Sequence, residues 1–140
     1  MTLVVDASMV VAGLTDSGAD GRWAESLLAA ESLAAPHLMP VEAANILRRA
    51  ALAGDISADV ASLAHTDLLD LRVELFPYNS CAARVWELRD NVTCSDGWYV
   101  AVAEVLDAPL ATLDARLAKS PGLHCRFLLP PPPEQASPAT

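Results

Sequence analysis

The spacing of apolar positions changes several times along this chain, and each change marks an element. Leu3-Val4-Val5 is a short apolar, β-branched run that ends on Asp6 and the small residues Ala7 and Ser8. Such a run predicts a buried strand emerging at one edge of a parallel sheet. Ser8 to Leu14 predicts one or two helical turns, and Thr15 to Gly21 a loop by its turn residues. Trp23, Leu27 and Ala30 fall at helical spacing and predict a helix over 22–30; Leu33-Ala34-Ala35 predicts a second strand. Pro40 suits the first position of a helix, where its missing N–H is not needed, and Ala43, Ile46, Leu47 and Ala50 form its apolar stripe up to Gly54. Ser57 predicts the cap of another helix with Val60, Leu63, Ala64, Leu68 and Leu71 inward, and Val73 to Pro77 a third strand. Asn79 or Ser80 then caps a helix holding Val85, Trp86 and Leu88, and Ser95 precedes a longer one with Tyr99, Val102, Ala103 and Leu106. Leu110 to Leu113 is a short strand running into Asp114, Arg116 to Lys119 one more turn, and Cys125 to Leu129 a last strand.

Strands separated by helices of this length call for right-handed crossovers, hence a three-layer α/β/α sandwich with a short parallel sheet. A length of 140 residues, 53% of them hydrophobic, fits one domain over 1–129. The proline-rich end, 130–140, cannot pack a core and is expected to be disordered or polyproline II. No apolar run reaches the roughly 20 residues of a membrane span, so no membrane association and a cytoplasmic location are expected. Cys81, Cys94 and Cys125 are odd in number and show no C-x-x-C pairing; they read as reduced, mostly buried thiols. His37, His65 and His124 show no ligand spacing, and none is expected at a strand end or beside an acidic residue of interest.

In a parallel sheet, strand ends and helix starts share one edge, which is where such sheets bind ligands. That edge collects four acids: Asp6 and Asp114 end strands, and Glu42 and Asp96 lie in first helical turns. Each has an ordinary explanation, as a helix cap or as compensation of a helix dipole. Four acids together would repel one another and raise one another's pKa values, which a divalent cation relieves. Oxygen ligands without nearby His or Cys point to Mg²⁺ or Mn²⁺, a site suited to attack on phosphorus by a metal-activated water. The net charge of −9 opposes non-specific nucleic-acid binding, an objection that softens if several acids share one metal pocket. Arg48, Arg49, Arg116 and Lys119 flank the proposed rim and are candidate contacts for RNA phosphates or for a partner's carboxylates, or else plain solvated surface. Trp23, Trp86 and Trp98 are expected in the core or an interface and not in the site.

Four segments carry a family resemblance: Val4-Val5-Asp6-Ala7-Ser8, Pro40 to Arg49, Ser95 to Ala103, and Leu110 to Leu117. In order and spacing they resemble the four motifs of PIN-domain ribonucleases, and the chain from about Thr2 to Leu129 is similar to the VapC toxins of bacterial type II toxin–antitoxin pairs. The resemblance implies a Mg²⁺- or Mn²⁺-dependent endoribonuclease, a homodimer, held in check by a cognate VapB-type antitoxin. It implies that Asp6, Glu42, Asp96 and Asp114 are the catalytic, metal-binding acids, with Ser8 and Thr112 as auxiliary hydroxyls. Many members carry an acid or Asn two residues after the position of Asp114; this chain has Arg116, which leaves one ion or two open. Water activated by metal would leave 5′-phosphate and 3′-hydroxyl ends. Two other classes compete: a catalytically silent PIN-like module acting with its antitoxin, which the acidic charge favours, and an aspartyl phosphotransfer or receiver domain. The last lacks a second Asp two residues after Asp6, where Ser8 stands, and its only Lys, Lys119, is poorly placed.

Overall fold

The computed structural model describes residues 1–133, so the expected tail at 130–140 falls mostly outside the described residues. Strands β1 (Thr2–Val5), β2 (Ser32–Pro36), β3 (Val73–Phe76), β4 (Leu110–Ala111) and β5 (Phe127–Leu128) pair in parallel. Helices α1 (Ala7–Thr15) and α2 (Ala19–Ala30) lead from β1 to β2, and α3 (Met39–Leu52) and α4 (Ala58–Asp70) from β2 to β3. Helices α5 (Ala82–Glu87) and α6 (Cys94–Leu106) lead from β3 to β4, and the single turn α7 (Ala115–Ala118) precedes β5.

The spatial order is β3-β2-β1-β4-β5. From β1 the chain steps outward twice on one side, then crosses back to β4 on the other. Right-handed crossovers that run in opposite directions lie on opposite faces of a sheet. Accordingly α1 packs with α2, α3 and α4, whereas α6 packs with α5 and lies across β1, β2 and β4. The central strands are covered on both faces, which is why Leu3, Val4, Val5, Leu33, Ala34 and Ala35 are all buried although they alternate in direction. The predicted three-layer sandwich is the observed one. No helix among the described residues is long and apolar enough to cross a membrane.

Several element boundaries differ from expectation, each for a local reason. The loop expected at 15–21 shrinks to Asp16-Ser17-Gly18, because Asp16 Oδ1 accepts the Gly18 N–H at 2.8 Å and turns the chain at once. Gly21 then lies inside α2 against the Asp16 carbonyl, where a Cβ would come within 1.7 Å of that oxygen. Helix α3 ends as expected, with Gly54 at φ 80° and its N–H on the Ala51 carbonyl at 3.1 Å. Helix α5 begins after Cys81 and not at Asn79 or Ser80, and the Ser80 hydroxyl donates to the Pro77 carbonyl at 3.1 Å. Thr93, two residues before Ser95, caps α6 by accepting the Asp96 N–H at 3.1 Å. Val60 and Leu63, expected inward, are exposed, because the buried stripe of α4 narrows to Ala64 and Leu68. Trp86, expected in the core or an interface, is 58% exposed and so lies outside the core; Cys94 is exposed, so only Cys81 is fully buried among the thiols. Strands β4 and β5 are two residues each, shorter than the apolar runs that contain them.

Candidate active site at the strand-order reversal

The sheet reverses its order between β1 and β4, the crevice where open α/β sheets place ligands. Asp6 leaves β1 at that point and caps α1. Its Oδ1 accepts the Met9 N–H at 2.9 Å and the Ser8 hydroxyl at 2.8 Å. Its Oδ2 accepts the hydroxyl of Thr112, the residue that follows β4 and is completely buried. The Thr112 oxygen in turn accepts the Asp114 N–H at 3.0 Å, so hydrogen bonds link the ends of both strands. Asp114 caps α7, its Oδ1 accepting the N–H groups of Arg116 at 2.9 Å and Leu117 at 3.2 Å. Asp6 and Asp114 thus each cap a helix while lying at the same edge of the sheet.

Glu42 is in the first turn of α3, and Asp96 in the first turn of α6. Glu42 Oε1 accepts the hydroxyl of buried Tyr99 at 2.6 Å, a contact between helices on opposite faces of the sheet. Asp6, Glu42, Asp96 and Asp114 all line one cleft of about 360 Å³. Ser8, Asn45, Arg49 and Tyr99 line it with them.

The electrostatics match this crowding. Burial raises the Asp6 pKa against the pull of hydrogen bonds from Thr112, Met9 and Ser8, and the charge of Asp114 adds to the rise. Burial raises Glu42 as well; the Tyr99 bond pulls back, and Asp96 and Asp6 push further up. Asp96 is raised by burial, then by the charges of Asp114 and Asp6. Tyr99 is driven far up by burial and by its bond to Glu42, so it stays a donor at any working pH.

Among the described residues, no three His, Cys, Asp or Glu side chains form a ready-made metal cage. The Asp6 oxygens are engaged by N–H and O–H donors, and Glu42 is turned to Tyr99. What the cleft offers is an open arc of mutually repelling carboxylate oxygens. That donor set fits a hard dication held by a few carboxylates and completed by water.

Of the candidate cations, Arg49 lines the acidic cleft, and Arg116 lines a neighbouring cleft that shares Asp96 and Asp114. Arg48 faces a groove between α3 and α4, beside His65, and Lys119 at the end of α7 lines neither acidic cleft. Neighbours on a helix diverge by about 100°, so Arg48 and Arg49 cannot share one cleft. His37, expected away from strand ends, directly follows β2, where its N–H donates to the Phe76 carbonyl at 3.0 Å; it does not line the acidic cleft. Sequence reasoning missed Tyr99 and Asn45. Each stands three residues after a site acid, Asp96 or Glu42, and therefore on the same helical face, a spacing that could have revealed them.

Residues 3–123 match the PIN domain family. The chain is 42% identical over 127 residues to Ribonuclease VapC1 of Mycobacterium tuberculosis, which covers 90% of this chain and 96% of that protein. Among solved structures, PAE2754 from Pyrobaculum aerophilum superposes with a TM-score of 0.65 at 26% identity, covering 89% of each chain. Mycobacterium tuberculosis VapC20, described as a sarcin-ricin loop cleaving toxin, has a TM-score of 0.65 at 17% identity, covering 87% of this chain and 96% of that one. At that identity the likeness shows the fold alone.

Proposed function

The chain belongs to the PIN-domain family of VapC ribonucleases, and from that premise we propose that it is a Mg²⁺- or Mn²⁺-dependent endoribonuclease toxin, carried by residues 1–129 and acting in the cytoplasm. The observation that carries the reading is the convergence of Asp6, Glu42, Asp96 and Asp114 on one cleft at the strand-order reversal. Those four side chains would hold the ion. When bound, a divalent ion there supplies Lewis acidity, which eases deprotonation of water and offsets charge building on phosphate oxygens.

The chain's own residues do the rest. Ser8, Met9 and Thr112 fix the Asp6 carboxylate, so it does not have to be ordered when substrate arrives. Tyr99 fixes Glu42, whose raised pKa brings it nearer to working pH and suits it to take a proton from the attacking water. Water adds to phosphorus, the bond to the 3′ oxygen breaks, and the products carry a 5′-phosphate and a 3′-hydroxyl. Arg49, in the same cleft, pairs with a phosphate oxygen of the substrate.

The partners that go with this reading are single-stranded RNA segments, a second copy of the chain as a homodimer, and a VapB-type antitoxin that blocks the cleft. The presence of all four acids in one cleft speaks against the catalytically silent module. Incubating purified protein with RNA in Mg²⁺ and in chelator tests the proposal. Cleavage confined to the Mg²⁺ reaction, with 5′-phosphate products, is expected. Cleavage that persists in chelator, or products ending in 2′,3′-cyclic phosphate, would overturn it.

A further inference from the structure

Beside the acidic cleft lies a second one, of about 500 Å³, bounded by Arg89, Asn91, Thr93, Arg116, Ser120 and Asp90 and sharing Asp96 and Asp114 with the first. Its two arginines, like Arg49 in the first cleft and unlike Arg84, have no carboxylate partner among the described residues. Arg84 is committed to Glu104, with Nε on Oε1 at 2.7 Å and Nη2 on Oε2 at 3.1 Å. Among the described residues, neither Arg89 nor Arg116 makes an ion pair, although the cleft holds three carboxylates. Arg89 is held from behind: its Cζ lies 4.6 Å from the centroid of the exposed Trp86 ring, and Nη1 donates to the Trp86 carbonyl at 2.6 Å. Its remaining N–H groups have no hydrogen-bond partner among the described residues. A guanidinium fixed this way loses little side-chain entropy on gripping a phosphate.

We propose that this second cleft is the track along which the RNA strand leaves the acidic cleft, with Arg89 and Arg116 each holding a backbone phosphate next to the one that is cut. The inference rests on the ribonuclease reading above. A chain with a net charge of −9 has no general attraction for a polyanion, so cations without carboxylate partners next to the acids must supply it locally. Planar guanidiniums match phosphate oxygens in two-point contacts. The two clefts meet at Asp96 and Asp114, so a strand cut in the first runs directly into the second.

The test is the salt dependence of binding of a short fluorescent oligoribonucleotide of mixed sequence to the full chain carrying Asp6→Asn, in Mg²⁺. Adding Arg89→Ala or Arg116→Ala should flatten the slope of log affinity against log salt by about 0.7 per arginine, the value for one single-strand phosphate contact. Arg89→Lys should restore the slope. In the cleaving protein, each alanine variant should raise KM with kcat little changed. Unchanged slopes in both alanine variants, while the parent binds RNA, would overturn the track and leave the ribonuclease reading standing. Loss of affinity for polyglutamate and not for RNA would also overturn it, pointing to an acidic protein partner. Failure of the parent to bind RNA, together with failure of the unmodified chain to cut it, would overturn both.

Discussion

Replacing Tyr99 with Phe removes one oxygen and leaves the buried ring in place, so it isolates the contact that holds Glu42. The lost bond is a 2.6 Å O–H···O contact to a carboxylate. Hydrogen bonds to charged groups contribute roughly 1.5–3 kcal/mol. Glu42 is only half-buried, so water can partly replace the phenol, and the expected loss is about 1 kcal/mol. For a chain of this length, that lowers Tm by roughly 3–4 °C. Tyr99 favours charged Glu42 and pulls its pKa down against burial. Removing the hydroxyl lets that pKa climb further, so the stability gap between the two proteins is full above the climbing pKa and closes as pH falls toward the ordinary carboxylate range. Thermal melts of both proteins across that range, without metal, give the curve. RNA cleavage should fall about fivefold, mostly in kcat, if the same loss of about 1 kcal/mol falls on positioning, since about 1.4 kcal/mol is a factor of ten. Equal melting temperatures at neutral pH, or a gap that widens on acidification, would refute the reasoning.

Other changes test the rest of the arrangement. Thr112→Val removes the completely buried hydroxyl that joins Asp6 to the Asp114 backbone; a loss of about 1–3 kcal/mol in denaturant unfolding, with impaired cleavage, is expected. Asp6→Asn should keep the fold, abolish cleavage and stabilise the metal-free protein at neutral pH. The sign follows from the raised Asp6 pKa: the charged form is the disfavoured one, so the advantage of Asn shrinks as pH drops through that raised pKa. A variant that melts lower than the parent at neutral pH and higher in acid would contradict it. Gly21→Ala forces a Cβ to within 1.7 Å of the Asp16 carbonyl and should destabilise by about 1–3 kcal/mol or more, read as a lower denaturation midpoint.

The parts of this site that were legible in the sequence are those fixed by local pattern. An apolar run such as Leu3-Val4-Val5 must end where the chain leaves the core, which put Asp6 at a strand end; Leu110 onward placed Asp114 near one, although β4 stops three residues earlier, at Ala111. Pro40 and the stripe behind it put Glu42 in a first turn, and the Tyr99 to Leu106 stripe did so for Asp96. The rest depends on which strands become neighbours. Pairing of β1 with β4 joins residues more than a hundred positions apart, so the Thr112 bond to Asp6 has no local signature. Tyr99 and Glu42 are 57 residues apart, and the ring of Tyr99 satisfies the helical stripe so well that its hydroxyl went unread. One boundary failed where a side chain took an unexpected partner, as Asp16 does.

The central claim, that these four carboxylates form a dication site, is tested most directly by calorimetric titration of Mn²⁺ into the unmodified chain and into Asp96→Asn, a position that caps no helix and whose loss leaves the Asp6 hydrogen bonds intact. Binding by the parent that is abolished or weakened at least tenfold in the variant is the predicted result. Equal Mn²⁺ affinity in both, or none in the parent, would contradict it.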